Sequence, residues 1–267
     1  MPEVLTDLSD ASLVRAIEEN QWFAFPHFAS PPVGEIHREP DRRWYRTGRD
    51  SFLLNGVLGA RFPAEEVGER IEVTLEPFRG LPMVWVTGPA TAPPDLGERL
   101  VARGFAEEEQ SGMAVDLAAL PDPADLPRGV EIDRVDDDPV ALREGADIVE
   151  LAFEMPAVVL DTLLESLSAL APEDRELVHS YVATLHGEPV GASTLFLGAG
   201  VAGIYNVATV PDARGRGIGT AIALHPLGEA RALGYRAGIL QSTPAATHLY
   251  RRLGFRELCS VALHVRH

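Results

Sequence analysis

From residue 130 onward the hydrophobic positions change period in a regular order. Val130–Val135 alternates as a short strand. Apolar residues then recur at helical spacing over Val140–Phe153 and Ala157–Leu170. Met155-Pro156 lies between them, where the missing proline N–H makes a helix break or restart. Val178–Leu185 and Val190–Leu197 alternate around Gly187-Glu188-Pro189, the pattern of an antiparallel hairpin. Val201–Val210 predicts a third strand, ended by Pro211-Asp212. A Gly-rich loop, a helix to about Leu233, a strand over Ala237–Gln241, a short helix over Pro244–Leu253 and a strand from Arg256 to about Val265 complete the series.

The first part of the chain is patterned less clearly. Asp10–Asn20 reads as a helix capped by Ser9 or Asp10, and Ala64–Val73 as another. Ser51–Val57, Leu58–Phe62, Met83–Val86 and Gly112–Leu117 read as strands, with a helix over Asp95–Arg103. Between the two parts, residues 118–129 carry three prolines and a glycine, which predicts an extended, exposed linker. The expected organisation is a domain over 1–117, this linker, and a domain over 130–267. One repeat bears on the first domain. Leu100-Val101-Ala102-Arg103-Gly104-Phe105 and Tyr250-Arg251-Arg252-Leu253-Gly254-Phe255 each predict a short helix, a glycine at its left-handed end, and a Phe opening a strand.

Composition narrows the function. With 267 residues, 46% of them hydrophobic and 24% charged, the chain is an ordinary globular protein. It has no apolar run of membrane-spanning length, and its acidic first residues do not resemble a signal peptide, so a cytoplasmic location is expected. The formal net charge is −17, which disfavours nucleic-acid backbones and favours cationic ligands. All 23 basic residues are Arg, so chemistry that needs a lysine is excluded, the P-loop included. The eight His show no metal-ligand spacing and no metal is expected; the single Cys259 forms no internal disulfide and reads as inert core. Trp22, Trp44 and Trp85 read as core of the first domain.

The chemistry concentrates at Arg214-Gly215-Arg216-Gly217-Ile218-Gly219-Thr220. Glycines let backbone amides approach phosphate oxygens, the following helix presents unpaired N–H groups at its positive end, and two arginines add charged donors. This combination predicts a phosphate or pyrophosphate site. A dinucleotide fingerprint would need a third glycine at position 220, which is Thr, and a preceding βαβ strand rather than a hairpin strand.

Three features together resemble the GNAT N-acetyltransferases: Val210-Pro211 at a strand end, the R-x-x-G-x-G spacing of Arg214 to Gly219, and Leu249-Tyr250-Arg251-Arg252-Leu253-Gly254-Phe255 after a strand. The resemblance is specific over 205–256 and extends in element order over 130–267. It implies an α/β fold of the α+β mixed-sheet kind, the GNAT fold, in the second part. With the repeat, it also raises a degenerate GNAT-like copy in the first. It implies acetyl-CoA as co-substrate, its pantetheine on the backbone of Ala208, Thr209 and Val210 and its pyrophosphate on Arg214, Gly215, Arg216, Gly217, Ile218, Gly219 and Thr220. Thr243 stands where relatives often have Asn. Tyr250 matches the tyrosine that protonates the departing thiolate. The implied reaction is direct attack by the amine of a small-molecule or peptide acceptor.

The base stays open at this stage. Tyr205 and Asn206 occupy the strand where many relatives carry a glutamate. Glu154 is one candidate, and equally a solvated helix-end carboxylate; His248 and a water relay are others. A non-catalytic acyl-CoA-binding module is the competing reading. Pro226 is expected to kink the helix after the Gly-rich loop.

Overall fold

The computed structural model describes residues 3–121 and 126–267. Its first half runs α1 (Asp10–Ala24), β1 (Glu35–Arg38), β2 (Arg43–Arg46), β3 (Asn55–Leu58), α2 (Val67–Leu75), β4 (Met83–Thr87), α3 (Leu96–Val101) and β5 (Ala106–Asp116). The second runs β6 (Val130–Arg134), α4 (Pro139–Phe153), α5 (Ala157–Ser168), α6 (Pro172–Arg175), β7 (Val178–Leu185), β8 (Glu188–Gly198), β9 (Val201–Thr209), α7 (Ile218–Ala232), β10 (Ala237–Ser242), α8 (Thr247–Arg252) and β11 (Arg256–Arg266). The expected elements of the second half all appear, and the one-turn α6 and a 3-10 turn over Pro211–Ala213 are new.

All the strands form one sheet in the order β1-β2-β3-β4-β11-β5-β10-β9-β8-β7-β6. Two pairs are parallel, β3 with β4 and β9 with β10, and each occupies the same place in its half. The last strands have changed sides: β5 pairs with β10, while β11 pairs with β4. The two then pair with each other at the centre, antiparallel, from Ala106 opposite Val265 to Ala114 opposite Arg256. A cut at 118–129 therefore divides the chain but not the sheet.

The first half carries most of the differences from expectation. Ser51–Val57 and Leu58–Phe62 do not form two strands; Phe52–Leu54 is a 3-10 turn and only Asn55–Leu58 is extended. The buried amide of Asn55 explains the turn. It accepts from the backbone N–H of Thr47 and Gly48 and donates to the carbonyls of Arg49, Ser51 and Pro82. Side-chain bonds of this kind compete with a ladder. Gly59, at φ +61°, ends the strand. Strands β1 and β2, unforeseen, are only four residues each, too short for alternation to stand out.

The Pro-rich segment is not simply exposed. Leu117–Ala119 makes a 3-10 turn, Leu120 is buried, and Arg231 of α7 donates to the carbonyls of Leu117 and Leu120 at 3.4 and 3.1 Å. Residues 122–125 of that segment lie outside the described residues.

Helix α7 continues through Pro226. Proline leaves the carbonyl four residues earlier, Ile222, without its helical donor. The buried hydroxyl of Ser193 on β8 donates to that carbonyl at 2.9 Å. Ser193→Ala is expected to cost about 1–2 kcal/mol by stranding the carbonyl. Adding Pro226→Ala restores an N–H there and should recover part of the loss. Urea titrations of both variants check this, and an unchanged Ser193→Ala midpoint contradicts it.

Candidate active site

Strands β9 and β10 pair only at Ala202–Gly238 and Gly203–Ile239. Beyond those residues their carboxyl ends separate, which leaves edge N–H and C=O groups without a strand partner. On the other side of β9 the ladder to β8 shifts register between Ala192 and Thr194. The extra residue of this bulge sits around Asn206, whose φ is +53° and whose amide donates to Thr194 Oγ1 at 3.3 Å. A bulge bends its strand and re-aims the adjacent groups. Here it turns the end of β9 away from β10.

The Gly-rich loop lies just past this opening. Gly215 and Gly217 hold φ of +76° and +81°, a region that favours glycine. Gly217 is the residue preceding α7, and no side chain caps the helix. The N–H of Ala221 bonds back to the Gly217 carbonyl, while those of Ile218, Gly219 and Thr220 open the first turn. Gly219 differs from the other two. Its φ is not positive, and a Cβ there would meet only Thr209 Oγ1, at 3.5 Å. The fold itself does not need glycine at 219; a ligand lying on the helix end would.

Arg214 and Arg216 are exposed and, among the described residues, neither is ion-paired with a carboxylate. Arg214 Nε donates to the Thr209 carbonyl at 3.1 Å and Arg216 Nη2 to the Asp212 carbonyl at 3.2 Å. Two uncompensated guanidinium groups beside an open helix N-terminus, in a chain of net charge −17, form a local anion site. The residues fit a pyrophosphate. Ile218 contributes only its backbone, because its side chain is buried in the core. At the strand end two groups are already engaged: Val210 N–H donates to the Val190 carbonyl, and the Thr209 carbonyl accepts from Arg214.

Where β9 and β10 part, a cavity of about 370 Å³ opens. Asn206, Val207, Thr243 and Tyr250 line it on the side of the Gly-rich loop, so the structure brings Thr243 and Tyr250 together. Tyr250 is buried at the end of α8 with its ring edge-on to Phe255, centroids 5.7 Å apart. Its hydroxyl makes no hydrogen bond to another described residue, and burial pushes the phenol up to about 12.

Glu154 is placed elsewhere. It ends α4 at φ +54°, exposed, and is not part of the cavity wall, although Phe153 and Met155 on either side of it are. The carboxylate on the wall is Glu108, from the exchanged strand β5. Alternation along β5 sorts the acidic run 107–109. Glu109 accepts from Ser260 and Glu107 lies 3.6 Å from His264, whereas Glu108 sits opposite Leu263, which also lines the cavity. Glu108 has no hydrogen-bonding or ionic partner among the described residues. Gln21, from α1, also lines the cavity, while its amide nitrogen and oxygen are sealed from solvent without a partner among the described residues. Leaving such a group unsatisfied costs about 1–3 kcal/mol. Neither residue was expected at the site. Trp22 and Trp44 do not line it.

The corresponding place in the first half is closed. Strands β3 and β4 also pair at only two positions, Gly56–Val84 and Val57–Trp85. The chain then fills the gap itself: Ala92 N–H donates to the Ala60 carbonyl at 3.2 Å and Phe62 N–H to the Ala92 carbonyl at 2.8 Å. Ahead of α2 stand Glu65 and Glu66 in place of an arginine–glycine loop, which repels anions from a helix N-terminus. Leu100, fully buried, occupies the place of Tyr250 in the repeat. The first half keeps the framework and lacks the chemistry.

Residues 147–255 match the family model described as Acetyltransferase (GNAT) family, the segment that holds the bulge, the Gly-rich loop and Tyr250. Over this segment the second half of the chain is similar to that family. Solved structures share the fold over nearly the whole chain. A GCN5-related N-acetyltransferase from Kribbella flavida is 19% identical, with TM-score 0.67, covering 97% of this chain and 96% of that one. One from Sphaerobacter thermophilus is 19% identical at TM-score 0.59, covering 97% and 93%. A tandem GNAT protein from the clavulanic acid biosynthesis pathway is 12% identical at TM-score 0.61, covering 99% and 96%. No curated protein matches the chain significantly. Among the described residues no cluster of His, Cys, Asp or Glu could hold a metal, and no helix is long and apolar enough to cross a membrane.

Proposed function

We propose that the protein transfers an acetyl group from acetyl-CoA to the amine of a small molecule, using only the cleft of its second half. The observation that carries this reading is one cavity that holds an unpaired carboxylate, Glu108, and a free, protonated phenol, Tyr250, at the open end of β9, next to an uncapped helix N-terminus with two arginines that have no carboxylate partner among the described residues.

The amides of Ile218, Gly219 and Thr220 and the guanidinium groups of Arg214 and Arg216 hold the pyrophosphate, and the open edge of β9 takes the pantetheine as a surrogate strand. The acceptor enters between α1 and β5. Its nitrogen bonds to the thioester carbon as the carbon–sulfur bond breaks. Glu108 accepts the ammonium proton, directly or through one water, and the Tyr250 hydroxyl protonates the departing thiolate. Residues at the open end of the bulge orient the thioester.

A thiol-release assay with acetyl-CoA over an amine panel tests the reading. Turnover on at least one primary amine is expected, and Glu108→Gln should lower kcat about a hundredfold with acetyl-CoA affinity unchanged. Binding of acetyl-CoA with no turnover on any amine would favour a non-catalytic acyl-CoA-binding module instead.

A further inference from the structure

The wall of the cavity on the acceptor side is aromatic rather than acidic. Phe25 and Phe28 follow α1, Phe52 comes from the turn before β3, Phe153 ends α4, and Phe196 lies on β8. Among the described residues the only carboxylate on this wall is Glu108. The net charge of the chain points to cationic, even polycationic, ligands, but little of that charge reaches the cavity.

We infer that the acceptor is a monoamine with an aromatic or bulky apolar body, its ammonium held at Glu108 and its body against the phenylalanine cage. This rests on the acetyl-transfer reading above and specifies its second substrate. The apolar lining decides between the candidates. A second ammonium of a diamine or polyamine, or the carboxylate of a free amino acid, would be stripped of water against phenyl rings with no counter-charge. A phenyl or branched alkyl group gains by the same burial.

The first half of the chain supplies much of this specificity. Gln21, Phe25, Phe28, Phe52 and Glu108 all precede residue 118, and the exchange of β5 brings Glu108 to the cavity. The half with a closed cleft of its own thereby serves as the acceptor wall of the other.

The test compares 2-phenylethylamine, tyramine, putrescine, spermidine and glycine as acceptors of the full chain, by thiol release at fixed acetyl-CoA. The two aryl amines are expected to exceed putrescine, spermidine and glycine in kcat/KM by about a hundredfold, the range that burial of one aromatic ring supports. Phe153 is 45% exposed, so Phe153→Asp spares the core. That variant should cut the phenylethylamine-to-putrescine ratio at least about tenfold, with acetyl-CoA affinity unchanged. Equal or greater efficiency on spermidine or putrescine in the parent protein, or a ratio unmoved by Phe153→Asp, overturns the acceptor assignment and leaves acetyl transfer standing. Acetyl-CoA binding without turnover on any of the five and on any wider amine overturns both.

Discussion

Gly219→Glu is expected to fold at least as stably as the parent protein while losing acetyl-CoA affinity by more than about a hundredfold, or ~3 kcal/mol. Stability and binding should move in opposite directions because glycine at 219 answers to no demand of the fold. The position lies in the first turn of α7 with helical backbone, and a Cβ meets only an ordinary contact at Thr209 Oγ1. Replacing glycine in a helix contributes up to about 1 kcal/mol, and a carboxylate near a helix N-terminus adds about 0.3–1 kcal/mol. That same carboxylate would stand where a pyrophosphate must approach the amides, repelling it and blocking it. Gly215 and Gly217 offer no such separation, since their positive φ makes any side chain strained. Thermal unfolding alongside calorimetric titration reads both effects. Undiminished affinity in Gly219→Glu would move the phosphate site off the α7 N-terminus.

Tyr250→Phe should lower kcat about a hundredfold and leave acetyl-CoA affinity and thermal stability close to parental. The tyrosine hydroxyl bonds to no described residue, so its removal strands no protein partner. What it removes is a proton donor. Burial raises the phenol to about 12, so the donor form persists throughout the range in which an amine acceptor becomes deprotonated. The sign follows: the ratio of parent to variant rates should stay constant between about pH 7 and pH 9, and no alkaline fall in that range belongs to Tyr250. A variant that turns over normally would show that the thiolate takes its proton from elsewhere.

The hydrophobic periodicity made the second half legible almost element by element, because its strands run eight or more residues from β7 to β9 and its helices carry clear stripes. The Gly-rich loop was legible for another reason, as a contiguous motif whose chemistry follows from residue type and spacing, whereas Tyr250 was singled out only by the resemblance of its motif to the GNAT family. Glu108 was not. Its run, Glu107-Glu108-Glu109-Gln110, reads as a solvated acidic stretch until its strand is known. A signal did exist. The Gly104-Phe105 and Gly254-Phe255 repeat places a strand at 106 as it does at 256, and alternation then separates Glu108 from its two neighbours. The exchange of β5 and β11 carries no local signature, since each strand can pair with either partner through backbone groups alone. Without the exchange, nothing connects position 108 to position 250. The settings of Glu154 and Pro226 also depend on the tertiary structure. The first is set apart from the cavity by a left-handed turn, and the second lies inside a helix whose Ile222 carbonyl is met by a serine more than thirty residues away in the chain, on another strand.

The central claim is that one half of a repeated framework kept an acetyl-CoA site while the other closed it with its own backbone. Calorimetric titration of the intact protein with acetyl-CoA tests this directly. The account predicts one molecule bound per chain, with affinity lost in Gly219→Glu. Two molecules per chain would mean that residues 60–62 and 92 do not seal the first cleft, and no binding would mean that the Arg214–Thr220 loop is not a CoA site.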